Sequence, residues 1–128
     1  MLKDSHTFSG FSVDDLDAAA DFYTNTLGIE TTDNGMGLEL HVRDGNPIFI
    51  YEKPDHVPAA YTVLNFVVDD VDAVVDELVD NDVVMERYDS LPAPQDAKGI
   101  LRGKFANMGP DIAWFTDPAG NILSVLSN

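Results

Sequence analysis

With 128 residues, 45% of them apolar, the chain has the size and composition of one soluble globular domain, and no apolar run approaches the ~20 residues a membrane span needs. Its net charge of −16, from 23 acidic against 7 basic residues, argues against nucleic-acid or anionic-membrane partners. Cysteine is absent, which excludes disulfides and thiolate chemistry; the N-terminus lacks an apolar signal stretch, so the expectation is a cytoplasmic protein.

In chain order, residues 6–13 read as a strand running into Asp14-Asp15. Asp15 is placed to cap a helix, with Asp17 adding favourable charge to its first turn. Leu16, Ala19, Ala20, Tyr23 and Leu27 follow helical spacing, and Gly28 supplies the left-handed stop. Strands are predicted at about 29–33, 37–42 and 47–52, separated by Asp33-Asn34-Gly35 and Asp44-Gly45-Asn46 turns. The order then repeats. A strand over 61–68 leads to Asp70, which caps a helix reaching about Asp80, and a strand follows over 83–88. A Pro-, Asp- and Gly-rich loop spans 89–103, strands are expected near 104–108 and 112–116, and Asp117-Pro118-Ala119-Gly120 turns into a last strand over 121–126.

The repetition is also literal. Phe11-Ser-Val-Asp-Asp-Leu-Asp-Ala-Ala-Ala-Asp-Phe-Tyr23 aligns with Phe66-Val-Val-Asp-Asp-Val-Asp-Ala-Val-Val-Asp-Glu-Leu78, identical at seven of thirteen positions. Two copies are too few for a solenoid, so the pattern predicts a duplicated βαβββ half-domain with a shared core or cleft. The fold class is α+β, in a single domain over 1–128 with modules at about 5–55 and 60–128.

Val13-x-Asp15-Leu16 running to Phe22-Tyr23-x-x-x-Leu27-Gly28, with the closing Asp117-Pro118-Ala119-Gly120-Asn121, resembles the vicinal oxygen chelate superfamily. That group includes glyoxalase I, extradiol dioxygenases, fosfomycin-resistance enzymes and bleomycin-resistance proteins. The resemblance implies sheets curved into a half-barrel cleft, and a homodimer. It also implies four metal-ligand positions, two per module, which fall here on Phe8, Phe49, Val63 and Ser124. None offers the imidazole or carboxylate that a Lewis-acid metal requires, so no metal and no cofactor is expected.

Strand alternation then predicts what lines the cleft. Phe8 should share its face with His6, Gly10 and Ser12, while Phe11 and Val13 face the helix. Phe49 brings Tyr51, Val63 brings Asn65, and Ser124 brings Ile122 and Leu126. With Trp114 on the penultimate strand, the candidate ligand-binding set is His6, Phe8, Phe49, Tyr51, Asn65, Trp114 and Ser124. Such a lining suits a small organic molecule. The same rings could instead fill a closed core, and the repeated aspartates read as caps and solvated faces.

Two further groupings stand out. Glu39 and His41 share a strand face and, with His6, would make a two-histidine, one-carboxylate set if folding joined them. Lys98, Arg102 and Lys104 form a basic patch that could attract an anion or pair with nearby carboxylates. The functional expectation is a metal-independent protein that binds a hydrophobic or aromatic small molecule. The alternatives are a lyase, isomerase or dioxygenase using His6 or Tyr51 as acid–base group or displaced metal ligands, and a dimerising protein with a vestigial cleft.

Overall fold

In the computed structural model, which describes residues 1–128, the repeated segment opens each of two units with a strand, an aspartate cap and a helix. The units are Met1–Val57 and Pro58–Asn128. The first contains β1 (Gly10–Val13), α1 (Leu16–Asp21), β2 (Glu30–Asp33), β3 (Leu38–His41) and β4 (Ile48–Glu52). The second contains β5 (Thr62–Val68), α2 (Val71–Asp80), β6 (Leu101–Arg102), β7 (Asp111–Thr116) and β8 (Ile122–Ser127). Both are βαβββ, as the repeat predicts, although the elements taken one by one predict four strands after the helix of the second unit. Their sheets have the same strand order, β1-β4-β3-β2 and β5-β8-β7-β6, with the outer pairs β1/β4 and β5/β8 parallel and the other pairs antiparallel.

The aspartates that begin the helices do the same work in both copies. Asp15 Oδ1 accepts the Ala18 N–H at 3.1 Å, and Asp70 Oδ1 accepts the Ala73 N–H at 3.0 Å. Each relieves one of the orphan donors at a helix start. Period-2 burial then builds the cores. In unit one Val13, Leu38, Leu40 and Ile50 turn inward with Ala19 and Tyr23 of the helical segment. In unit two Ala113, Phe115, Leu123 and Val125 turn inward with Val71, Val75 and Leu78 of α2. Burying each Val, Leu, Ile or Phe among them contributes about 1.5–3 kcal/mol. No helix is long and apolar enough to cross a membrane.

Several expected elements form differently. The first strand begins at Gly10 rather than at residue 6. The first helix does not run as α-helix to Leu27: Phe22–Thr26 winds as a π-helix, closed by Leu27 N–H to Phe22 O at 2.9 Å, before Gly28 turns at φ 71°. Residues 83–88 are not a strand. There the Gln95 side chain takes the place of a neighbouring strand, accepting the Tyr88 N–H at 2.9 Å and donating to Glu86 O at 3.0 Å. The strand expected near 104–108 is a turn, with Asn107 at φ 55° and Met108 N–H bonded to Gly103 O at 2.8 Å. Its place in the sheet is taken by β6, inside the segment expected to be loop.

Candidate functional site

Because Ile50 turns into the core of unit one, Phe49 and Tyr51 turn to the opposite face of β4, where they stack at 5.9 Å with 17° between ring planes. Register places Gly10 and Ser12 of β1 and Glu39 of β3 on that same face. Two glycines make room for Phe49. A methyl group on Gly37 would fall 2.8 Å from Phe49 Cε1 and 2.4 Å from the Ile50 carbonyl oxygen, and one on Gly10 would fall 2.7 Å from the Phe49 carbonyl oxygen. The ring lies where any larger residue at position 37 would displace it.

Phe8 meets Phe49 edge-on at 6.3 Å and 89°, which makes a chain of three rings, Phe8–Phe49–Tyr51. Phe8 is 71% exposed and Tyr51 39% exposed, so neither belongs to the core of unit one. A cavity of about 520 Å³ opens beside them, walled on its apolar side by Phe8, Phe49, Met36 and Pro47. His6, Asn34, Glu39 and Asn46 supply its polar groups. His6 and Phe8 reach the cavity although their segment is not strand; the Asn46 side chain bonds Thr7 O, and Phe49 N–H bonds Ser9 O at 3.0 Å.

Glu39 is oriented by one hydrogen bond, with a histidine nearby. Asn34, whose Oδ1 also accepts the Met36 and Gly37 N–H groups at 3.0 Å each, donates from Nδ2 to Glu39 Oε1 at 3.3 Å. His41 Nε2 lies 3.8 Å from Glu39 Oε2 and 2.8 Å from Thr32 Oγ1. Folding thus brings His6 and Glu39 to one cavity, while His41 hydrogen-bonds to Thr32 rather than lining it. On the same sheet face Ser12 Oγ and His56 Nδ1 are 2.6 Å apart, and His56 Nε2 is buried with no hydrogen-bond partner. Sequence reading did not single out His56, Met36, Pro47 or Asn34; only the Asp33-Asn34-Gly35 turn hinted at one of them.

Asn65, Trp114 and Ser124 gather in unit two, not in this cavity. Register pairs Ser124 with both Asn65 and Trp114, so the three share a sheet face. They are already engaged: Ser124 Oγ donates to Asn65 Oδ1 at 2.6 Å, and Trp114 Nε1 donates to Thr62 Oγ1 at 3.2 Å. Trp114 also meets Tyr88 edge-on at 5.7 Å, and burial raises the Tyr88 phenol above its ordinary value. The expected alternation through Val63 does not hold. A bulge pairs Thr62 with Ile122 and Leu64 with Leu123, so Thr62 and Asn65 share a face although three positions apart.

The basic patch is largely consumed in ion pairs. Arg102 makes a bidentate pair with Asp72 at 2.7 Å and a second contact with Asp96 at 2.8 Å. Lys98 reaches Asp76 at 2.8 Å and Asp72 at 3.4 Å. Hydrogen bonding from Arg102 is the largest cause that brings the Asp72 carboxyl down to about 2. Burial alone would raise Asp96, but the Ile100 N–H and Arg102 hold it below the usual carboxylate range. Lys104 is exposed. These pairs tie the loop before β6 to α2 and leave little charge for an anion.

No group of three or more His, Asp or Glu side chains is arranged to hold a metal ion. Phe8, Phe49 and Val63 carry no donor atom in their side chains, and the Ser124 hydroxyl is spent on Asn65. The residues therefore do not fit the metal that the resemblance implies.

Residues 5–125 match the sequence profile described as the Glyoxalase/Bleomycin resistance protein/Dioxygenase superfamily. No curated protein matches the sequence. Among solved structures, lactoylglutathione lyase from Agrobacterium tumefaciens is 20% identical with a TM-score of 0.65, covering 100% of this chain and 96% of that one. TnmS3, an antibiotic binding protein from a Streptomyces species, is 21% identical with a TM-score of 0.67, covering 99% and 98%. The fosfomycin resistance protein FosX from Listeria monocytogenes is 15% identical with a TM-score of 0.68, covering 99% and 95%. At these identities the structural likeness establishes the fold alone.

Proposed function

Since the chain belongs to the glyoxalase/bleomycin resistance protein/dioxygenase superfamily, whose fold hosts both enzymes and binding proteins, we propose that it is a metal-independent binder of a flat aromatic or hydrophobic molecule. The observation that carries this is the exposed ring chain Phe8–Phe49–Tyr51 beside the cavity of about 520 Å³ in unit one. An apolar concavity with a few placed polar groups is the usual form of a small-molecule site, and rings left half-exposed have contact area to offer. The four positions where relatives with a metal would place ligands are Phe8, Phe49, Val63 and Ser124, which supports binding without one. The likeness in fold to TnmS3, an antibiotic binding protein, is in keeping with this reading.

Titration of planar aromatic compounds against the wild type and Phe49→Ala tests it. Loss of a central anchor ring should weaken binding about tenfold or more. Unchanged affinity with a large loss of melting temperature would show that the ring holds the fold instead. Near one equivalent of divalent metal per purified chain, removable by chelator with loss of binding, would overturn metal independence. A second reading, lyase or isomerase chemistry, is favoured by His6 standing in the cavity wall. Turnover of a bound compound that disappears in His6→Gln would establish it.

A further inference from the structure

We propose that the molecule held in unit one is an aromatic cation, a flat ring system bearing a quaternary or protonated amine, with Glu39 as its counter-ion. The inference rests on the aromatic-pocket reading and adds the charge of the occupant. Glu39 is the one carboxylate in the cavity wall, and neither lysine nor arginine lines it. Register sets Glu39 directly opposite Phe49 on the adjacent strand, so its carboxylate stands beside the ring chain. Its ionic neighbour is His41 at 3.8 Å, beyond a good hydrogen bond, and Asn34 fixes its other oxygen at 3.3 Å.

A carboxylate oriented by an amide and lining the same cavity as aromatic rings favours a diffuse positive charge in two ways. The ring quadrupoles attract a cation across their faces, and the carboxylate supplies an opposite charge where the rings exclude part of the water. Longer-range charge points the same way. Met1–Val57 carries eleven acidic residues against Lys3, Arg43 and Lys53, and Lys53 is already paired with Asp55 at 2.5 Å. A cation is drawn toward such a unit and an anion repelled. The ring chain alone would accept neutral aromatics equally; Glu39 is what separates charged from neutral ligands.

The test uses the full chain and three matched probes: (1-naphthylmethyl)trimethylammonium, 1-naphthalenemethanol and 1-naphthaleneacetate. Affinities are measured by calorimetry at pH 8 and low salt on the wild type and Glu39→Gln. The cation should bind about tenfold more tightly than the alcohol, the sum of a cation–π term and a partly exposed ion pair, and the anion most weakly. Glu39→Gln keeps an acceptor for Asn34 and for a ligand hydroxyl but removes the charge, so it should remove most of the cation's advantage over the alcohol. Equal binding of cation and alcohol, or an advantage that survives Glu39→Gln, overturns the assignment of Glu39 while the aromatic site stands. Absence of binding by all three probes to millimolar concentration overturns both.

Discussion

The two units share a strand order and a helix cap, yet they treat the sheet face opposite the inward-turned core residues in different ways. In unit two the face bearing Asn65, Trp114 and Ser124 satisfies its own polar groups, with Ser124 bonded to Asn65 and Trp114 to Thr62. In unit one the corresponding face of β4 presents rings, with Phe8 71% and Tyr51 39% exposed. Buried polar groups that are already paired resist exchange for a ligand's, because breaking each pair costs the desolvation it had offset. Exposed rings carry no such cost. Duplication copied the backbone, while the side chains on the two faces differ in kind: paired polar groups in unit two, rings in unit one.

The sharpest way to break this comparison is to truncate one aromatic on each face of unit one. Tyr23 is fully buried between Phe11, at 6.2 Å, and Phe22, at 5.2 Å. Tyr23→Ala should lower the unfolding free energy by about 3–5 kcal/mol, read by denaturant titration. Phe49→Ala, on the open face, should cost about 1–2 kcal/mol, since less apolar area is withdrawn from water. If the order is reversed, the ring chain is a core and the site assignment fails.

A finer probe sets the two copies of the cap against each other. Asp15→Ala and Asp70→Ala each remove one side-chain acceptor from equivalent geometry, 3.1 and 3.0 Å, and should each cost about 1 kcal/mol. A much larger loss at Asp15 would show that the short helix before the π-turn depends on its cap more than α2 does.

The smallest expected effect is acid sensitivity, which concentrates in unit two. Asp72 titrates at about 2 in the fold against an ordinary 3.8, chiefly through its bond to Arg102. A depressed carboxylate stabilises the native state fully above the unfolded value, and loses that contribution as pH falls from 3.8 through about 2. The side chain is 44% exposed, so solvent screening limits the effect to roughly 1 kcal/mol or less. Arg102→Met should therefore flatten the stability profile across that acid window relative to the wild type. Identical slopes would mean that the ion pair adds nothing.

Much of the fold is legible in the amino-acid sequence. Thirteen repeated residues predicted two βαβββ units, and Asp15 and Asp70 stand where helix capping required. The pairing of Phe49 with Tyr51, the inward turn of Val13, and the lack of ligating side chains at Phe8, Phe49 and Val63 also follow from residue types and alternation. Local rules suffice for these because capping reaches three residues and strand alternation reaches two.

Tertiary structure decided the rest. Gln95 replaces a strand beside residues 86–88, the bulge at Thr62–Leu64 brings Thr62 to Trp114, and Gly37 clears the space that Phe49 occupies. The cavity itself joins a segment near residue 7 to turns near 34 and 46, and Ser12 meets His56 across 44 positions. Contacts of that span leave no period in the sequence. They arise from packing and hydrogen bonding between elements that are remote along the chain, so they exist only once the sheet has assembled.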